Sequence, residues 1–88
     1  MNIVFSVSFK RSLRSFFRKH PELRETFENK AKLFAENPFH PSLKTHNLGG
    51  TLDGMRSFSI THDYRVIFEF MPDGSALFSH VGTHDEVY

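Results

Sequence analysis

The chain is predicted to be an α+β domain: a helical hairpin packed on one face of a small, mainly antiparallel sheet, in the order β-α-α-β-β-β. Three observations predict it. Apolar residues recur with helical period only between residues 9 and 34, and with strand period only between 55 and 82. The chain has 88 residues, enough for one two-layer core and too few for a separate cofactor unit, so residues 1–88 are read as a single domain. It carries 11 Phe, 2 Tyr and no Trp, so most of the core volume is expected to be plain apolar ring.

Residues 2–7, rich in β-branched and aromatic types, read as a short strand, with Ser8 placed to cap the helix that follows. In that helix Phe9, Leu13, Phe16 and Phe17 form one apolar stripe, leaving Lys10, Arg11, Arg14 and Arg18 on an exposed basic face. His20-Pro21 ends it and starts a second, because proline suits the first helical turn and disfavours helix geometry in the residue before it. Leu23, Phe27, Ala31 and Phe34 make the second buried stripe. Glu22 and Glu25 near its start and Lys30 and Lys32 further along agree with the helix dipole, and Asn37-Pro38 stops it.

Residues 39–42 read as an irregular connector, and Gly49-Gly50 and Asp53-Gly54 mark turns between short extended pieces. Residues 55–61 alternate, with Phe58 and Ile60 on one face and Ser57, Ser59 and Thr61 on the other. Residues 64–70 place Tyr64, Val66, Phe68 and Phe70 on one face, Arg65 and Glu69 on the other. Pro72-Asp73-Gly74 turns this strand into a last one running through Leu77, Phe78 and Val81. If the helices cover the phenylalanine face, the serines, Thr61 and Arg65 line an open groove, with His46 and His84 entering and leaving it.

Composition narrows the function classes. Cysteine is absent, which excludes a disulfide framework or a thiolate zinc site and fits a cytoplasmic protein. No apolar run approaches the ~20 residues that span a bilayer, so no membrane partner is expected. The net charge of +1 hides an asymmetry: residues 1–44 hold nine Lys/Arg against four Glu, and residues 45–88 hold two Arg against six Asp/Glu. A basic first half suits a polyanion, although a solvated helix face explains it as well.

The chemistry that these residue types suit is scission of RNA by its own 2′-hydroxyl. One group must take the hydroxyl proton, another must protonate the departing 5′-oxygen, and a cation must neutralise the crowded phosphorus. His46 and His84, beside glycines in loops, are candidates for the proton transfers, and Arg65 for the phosphate. On spacing alone Arg65 could instead pair with Glu69 or Asp63, and Tyr88 could be a packed terminus or a ring on which a base stacks. His80 with His84, or His62-Asp63, fall short of a metal site, no serine sits in a Gly-x-Ser-x-Gly elbow, and no phosphate-binding glycine loop is present. Neither metal nor cofactor is expected.

Three ordered segments carry a more specific signal: Lys44-Thr45-His46-Asn47-Leu48-Gly49-Gly50 with Leu52-Asp53-Gly54, then Asp63-Tyr64-Arg65-Val66-Ile67-Phe68, then Gly82-Thr83-His84-Asp85-Glu86-Val87-Tyr88. Over essentially its whole length the chain resembles the RelE/ParE superfamily of type II toxins, and within it the RelE/YafQ-like mRNA interferases. That resemblance implies a RelE-like fold that enters the ribosomal A site and cleaves mRNA without metal, until a cognate antitoxin wraps it. It implies that His46 and His84 transfer protons, assisted by Asp63, that Arg65 stabilises the phosphate and that Tyr88 stacks a base or assists catalysis. Lys44 and Arg56 are expected near the substrate, and Lys10, Arg11, Arg14 and Arg18 on ribosomal RNA. Some YafQ-like members carry a histidine where this chain has Ser59, and RelE-like members carry another arginine near Gly82-Thr83. Two alternatives stand beside this reading: a ParE-like toxin that binds a protein such as gyrase without cutting RNA, and a degenerate module that binds only its antitoxin.

Overall fold

In a computed structural model of the protein, which describes residues 1–83, the first strand is β1 (Ile3–Phe5), shorter than the sequence suggests. Helix α1 (Val7–Lys19) is capped by Ser6 rather than Ser8: the Ser6 hydroxyl accepts the Phe9 N–H at 3.0 Å. Ser6 has extended backbone (φ −68°, ψ 164°), whereas Ser8 already lies inside the helix. Pro21–Leu23 makes a single 3-10 turn, and α2 (Arg24–Glu36) follows, completing the expected hairpin.

The other expected connector contains a further 3-10 turn, Pro41–Leu43. It leads to the two-residue β2 (His46–Asn47), and then to β3 (Arg56–Ser59), β4 (Tyr64–Phe70) and β5 (Ala76–Thr83). The sheet order is β1-β5-β4-β3-β2, with β1 parallel to β5 and every other pairing antiparallel. The fold is thus α+β, with two helices on a five-stranded sheet.

Phenylalanine fills the layer between helices and sheet. Phe9 and Phe16 from α1 and Phe27 and Phe34 from α2 meet Phe58, Phe68, Phe78, Val66 and Val81 from the strands. Phe34 is fully buried, with ring centroids 4.9 Å from Phe58, 4.8 Å from Phe68 and 5.2 Å from Phe78. Phe78 and Val81, three apart, both reach this core because a bulge at Ser79 inserts one residue between the Phe68–Phe78 and Ile67–His80 pairs. Beyond Phe78, β5 runs past the end of β1, and α1 covers that edge: the Val81 N–H donates to the Ser12 hydroxyl at 3.2 Å, and the Ser8 hydroxyl donates to the Ser79 carbonyl at 3.0 Å.

The opposite face is less open than expected. Leu48, Leu52 and Met55, from the segment between β2 and β3, fold back onto Ile67 and make a second, smaller apolar cluster. Arg65, Val66, Ile67 and Phe68 are therefore all buried although their side chains alternate between faces. The polar part of this face lies toward the end of the sheet where β4 begins and β5 ends.

Candidate active site

At that end the strand registers place His46 opposite Ser57, Ser59 opposite Arg65, and Arg65 opposite Gly82. Paired residues share a face, so His46, Ser57, Ser59 and Arg65 converge on the side away from the helices. Gly82 puts no side chain beside the guanidinium on β5.

Arg65 is only 5% exposed, yet it pairs with neither Glu69 nor Asp63 among the described residues. Its Nε donates to the Ser57 hydroxyl at 3.1 Å, Nη1 to the Ser59 hydroxyl at 2.7 Å, and Nη2 to the Lys44 carbonyl at 2.9 Å. A buried charge is tolerable only where such bonds replace water, and these also lock the plane of the fork. Ser59 is thus one of the residues that aim Arg65.

His46 is exposed, and its Nδ1 lies 2.9 Å from the same Lys44 carbonyl and 3.4 Å from Arg65 Nη2. A carbonyl oxygen has no proton to offer, so the shorter contact is a hydrogen bond only in the tautomer with the proton on Nδ1, in which the lone pair lies on Nε2. In that tautomer the arginine contact sets donor against donor; only in the other does Arg65 Nη2 donate to Nδ1. One carbonyl therefore meets both side chains.

The other expected residues are distributed unevenly. Asp63 is exposed in the β3–β4 turn, where its N–H donates to the Thr61 hydroxyl; Thr61 shapes that turn instead of lining the groove. Lys44 is exposed next to the site. Arg56 pairs with Phe68 on the helix side of the sheet and lies over the Phe70 ring at 5.2 Å, so it does not join Arg65. Lys10, Arg14 and Arg18 are exposed on α1, where with Arg24 they line a groove over Leu13 and Phe17; Arg11 is exposed beside them. Lys10, Arg11, Arg14 and Arg18 all belong to the helix layer, behind the sheet as seen from Arg65. His84 and Tyr88 lie outside the described residues, so their placement remains an expectation from sequence. The roles that sequence reasoning missed are those of Ser57 and Ser59, which it assigned to groove lining, and of the Lys44 backbone.

The family described as bacterial toxin of type II toxin-antitoxin system, YafQ, matches residues 1–88. The chain belongs to the YafQ toxin family. No curated protein matches it by sequence. In fold the toxin is similar to YafQ from E. coli strain BL21(DE3), with a TM-score of 0.80, 20% identity, and coverage of 99% of this chain and 97% of that one. A YoeB/ParE toxin from Agrobacterium tumefaciens matches with a TM-score of 0.79 at 20% identity, over 96% of this chain and 99% of its own. The E. coli DinJ-YafQ complex matches with a TM-score of 0.78 at 20% identity, over 99% and 97%. Members of the RelE superfamily of type II toxins thus share this architecture, and none of the described helices is long and apolar enough to cross a membrane.

Proposed function

We propose that this YafQ-family toxin is an endoribonuclease that cleaves mRNA on the ribosome, and that a cognate antitoxin holds it inactive. The observation that carries the reading is the convergence of His46 and the buried, fork-locked Arg65 on one carbonyl at the groove end of the sheet. The 2′-hydroxyl gives its proton to a histidine as its oxygen bonds to phosphorus, and the bond from phosphorus to the 5′-oxygen breaks. The leaving oxygen takes a proton from a second acid, for which His84 is the candidate, with Asp63 assisting and Tyr88 stacking a base. The products are a 2′,3′-cyclic phosphate and a 5′-hydroxyl end. Arg65 holds the charge that gathers on the phosphate, in a site where its orientation is settled before substrate arrives. No step calls for a metal or a cofactor.

The cations Lys10, Arg11, Arg14 and Arg18 lie in the layer behind the sheet from Arg65, so they cannot grip the same nucleotide. They suit ribosomal RNA around a toxin lodged in the A site, while Lys44 beside His46 suits the message itself. Arg56, on the helix side, fits the first of these roles better than the second. The antitoxin reading rests on family membership and on the DinJ-YafQ complexes, whose toxin shares this fold.

The test is incubation of the toxin with mRNA, free or on programmed ribosomes, followed by mapping of the cut ends. Cuts with 5′-hydroxyl ends are expected on the ribosome, and a large loss is expected in His46→Ala. An intact message, or undiminished cutting by that variant, contradicts the proposal.

A further inference from the structure

Lys44 combines two features that the reaction outlined above does not explain. It is the only non-glycine residue with positive φ among the described ones (φ 51°, ψ 43°), a left-handed conformation that side chains with a Cβ avoid. Its carbonyl also accepts from both Arg65 Nη2 and His46 Nδ1, each at 2.9 Å. Backbone in this region persists where the surroundings over-determine it, and it concentrates at functional sites. Here the surroundings are visible. The Lys44 N–H donates to the Pro41 carbonyl at 3.2 Å, closing the 3-10 turn, and the preceding Leu43 is fully buried. The following Thr45 hydroxyl donates to the Pro38 carbonyl at 2.6 Å, and His46 is then fixed by pairing with Ser57.

We propose that Lys44 is a positioning residue that acts through its backbone: the left-handed turn aims its carbonyl so that His46 is held as the Nδ1–H tautomer, with Nε2 presented as the proton acceptor of the cleavage reaction. An extended or right-handed residue at this position would turn the carbonyl away from both donors. The imidazole could then place its proton on Nε2, where it is useless as a base. When His46 takes up the substrate proton the ring becomes a cation, and the same carbonyl oxygen faces its Nδ1–H throughout, so no group has to reorient during the transfer. Arg65 donates to the second lone pair of that oxygen, which couples the phosphate-holding group to the base. This role is distinct from any contact that the Lys44 ammonium makes with RNA.

The proposal assumes the nuclease reading for its catalytic half, but its structural half is measurable without activity. The experiment compares Lys44→Gly, Lys44→Asn, Lys44→Ala and Lys44→Val with the wild type. Two readouts are taken: the His46 tautomer, from long-range 1H–15N NMR of histidine-labelled toxin at about pH 8, where an ordinary imidazole is neutral; and kcat and KM for cleavage on ribosomes. Glycine and asparagine tolerate the left-handed region, so both should keep the Nδ1–H signature; because all four variants lose the ammonium alike, kcat is compared among them, with glycine and asparagine as the reference. Valine, stiff and β-branched, should lose the signature and at least about tenfold in kcat, with alanine between. An Nε2–H tautomer in the wild type, or an unchanged signature in the valine variant, overturns the proposal. So does a series in which all four variants lose KM alike and kcat not at all, which would assign Lys44 to its side chain. Should the wild type cut no message at all, the nuclease reading fails while the tautomer series still decides whether the turn sets the state of the ring.

Discussion

Arg65 depends on shape as much as on charge. Its three nitrogens reach two hydroxyls on β3 and a carbonyl in the turn before β2, a pattern that an ammonium cannot reproduce. Arg65→Lys should therefore lose about 10²–10³-fold in cleavage rate while keeping its charge, as measured by single-turnover cutting on ribosomes. Ser59→Ala removes one acceptor from a buried guanidinium and should cost roughly 1–3 kcal/mol, read from urea unfolding. The alternation of Ser57 and Ser59 with Phe58 and Ile60 was enough to put Arg65 and the serines on one face. It could not show that the serines hold the arginine, because that depends on a register between β3 and β4 which alternation leaves open. The left-handed Lys44 gave no sequence signal, since such a turn is usually marked by glycine or asparagine.

The start of α1 and the β4–β5 turn owe their geometry to single polar side chains. Ser6 and Ser8 both suit a helix start, and the structure selects Ser6 because β1 ends at Phe5 and leaves it extended. Ser12 serves the edge of β5, so Ser12→Ala should expose an unsatisfied Val81 N–H and cost roughly 1–3 kcal/mol in a denaturant titration. In the β4–β5 turn Asp73 accepts from the Ser75 hydroxyl at 2.6 Å and from its N–H at 2.9 Å. The hydroxyl bond first, and the backbone bond second, hold this carboxyl below the ordinary aspartate range. The folded state therefore favours the ionised form, and the turn's contribution is whole above the ordinary aspartate pKa of about 3.9 and fades as the pH falls through it toward the lowered value. Asp73→Ala should lower the melting temperature slightly at pH 7, and by less at about pH 3. The turn itself was plain from Pro72-Asp73-Gly74. The bulge at Ser79 was not, although Phe78 and Val81 three residues apart already conflict with a regular strand.

At the scale of the molecule, one phenylalanine layer supports the sheet that carries the site. Phe34 contacts Phe58, Phe68 and Phe78 together, so Phe34→Ala should cost about 3–5 kcal/mol, a large share of the roughly 5–15 kcal/mol that stabilises a domain, visible as a lowered calorimetric melting temperature. The two-layer architecture was legible because period 3.6 and period 2 occupy separate stretches of the chain. The partial closure of the far face was not, because Leu48, Leu52 and Met55 sit in a turn-rich segment without periodicity. The division of basic helix and candidate site between the two layers follows from the same topology, and under the proposed nuclease reading it suits a large, enveloping RNA better than a short oligonucleotide. The central claim is that His46 and Arg65 act on one phosphate. A double-mutant cycle of His46→Gln and Arg65→Lys, followed by single-turnover mRNA cleavage on programmed ribosomes, tests it most directly. Groups that serve one transition state should give a double variant about as slow as the slower single one. Losses that multiply in full, or a single variant cutting at the wild-type rate, would contradict the account.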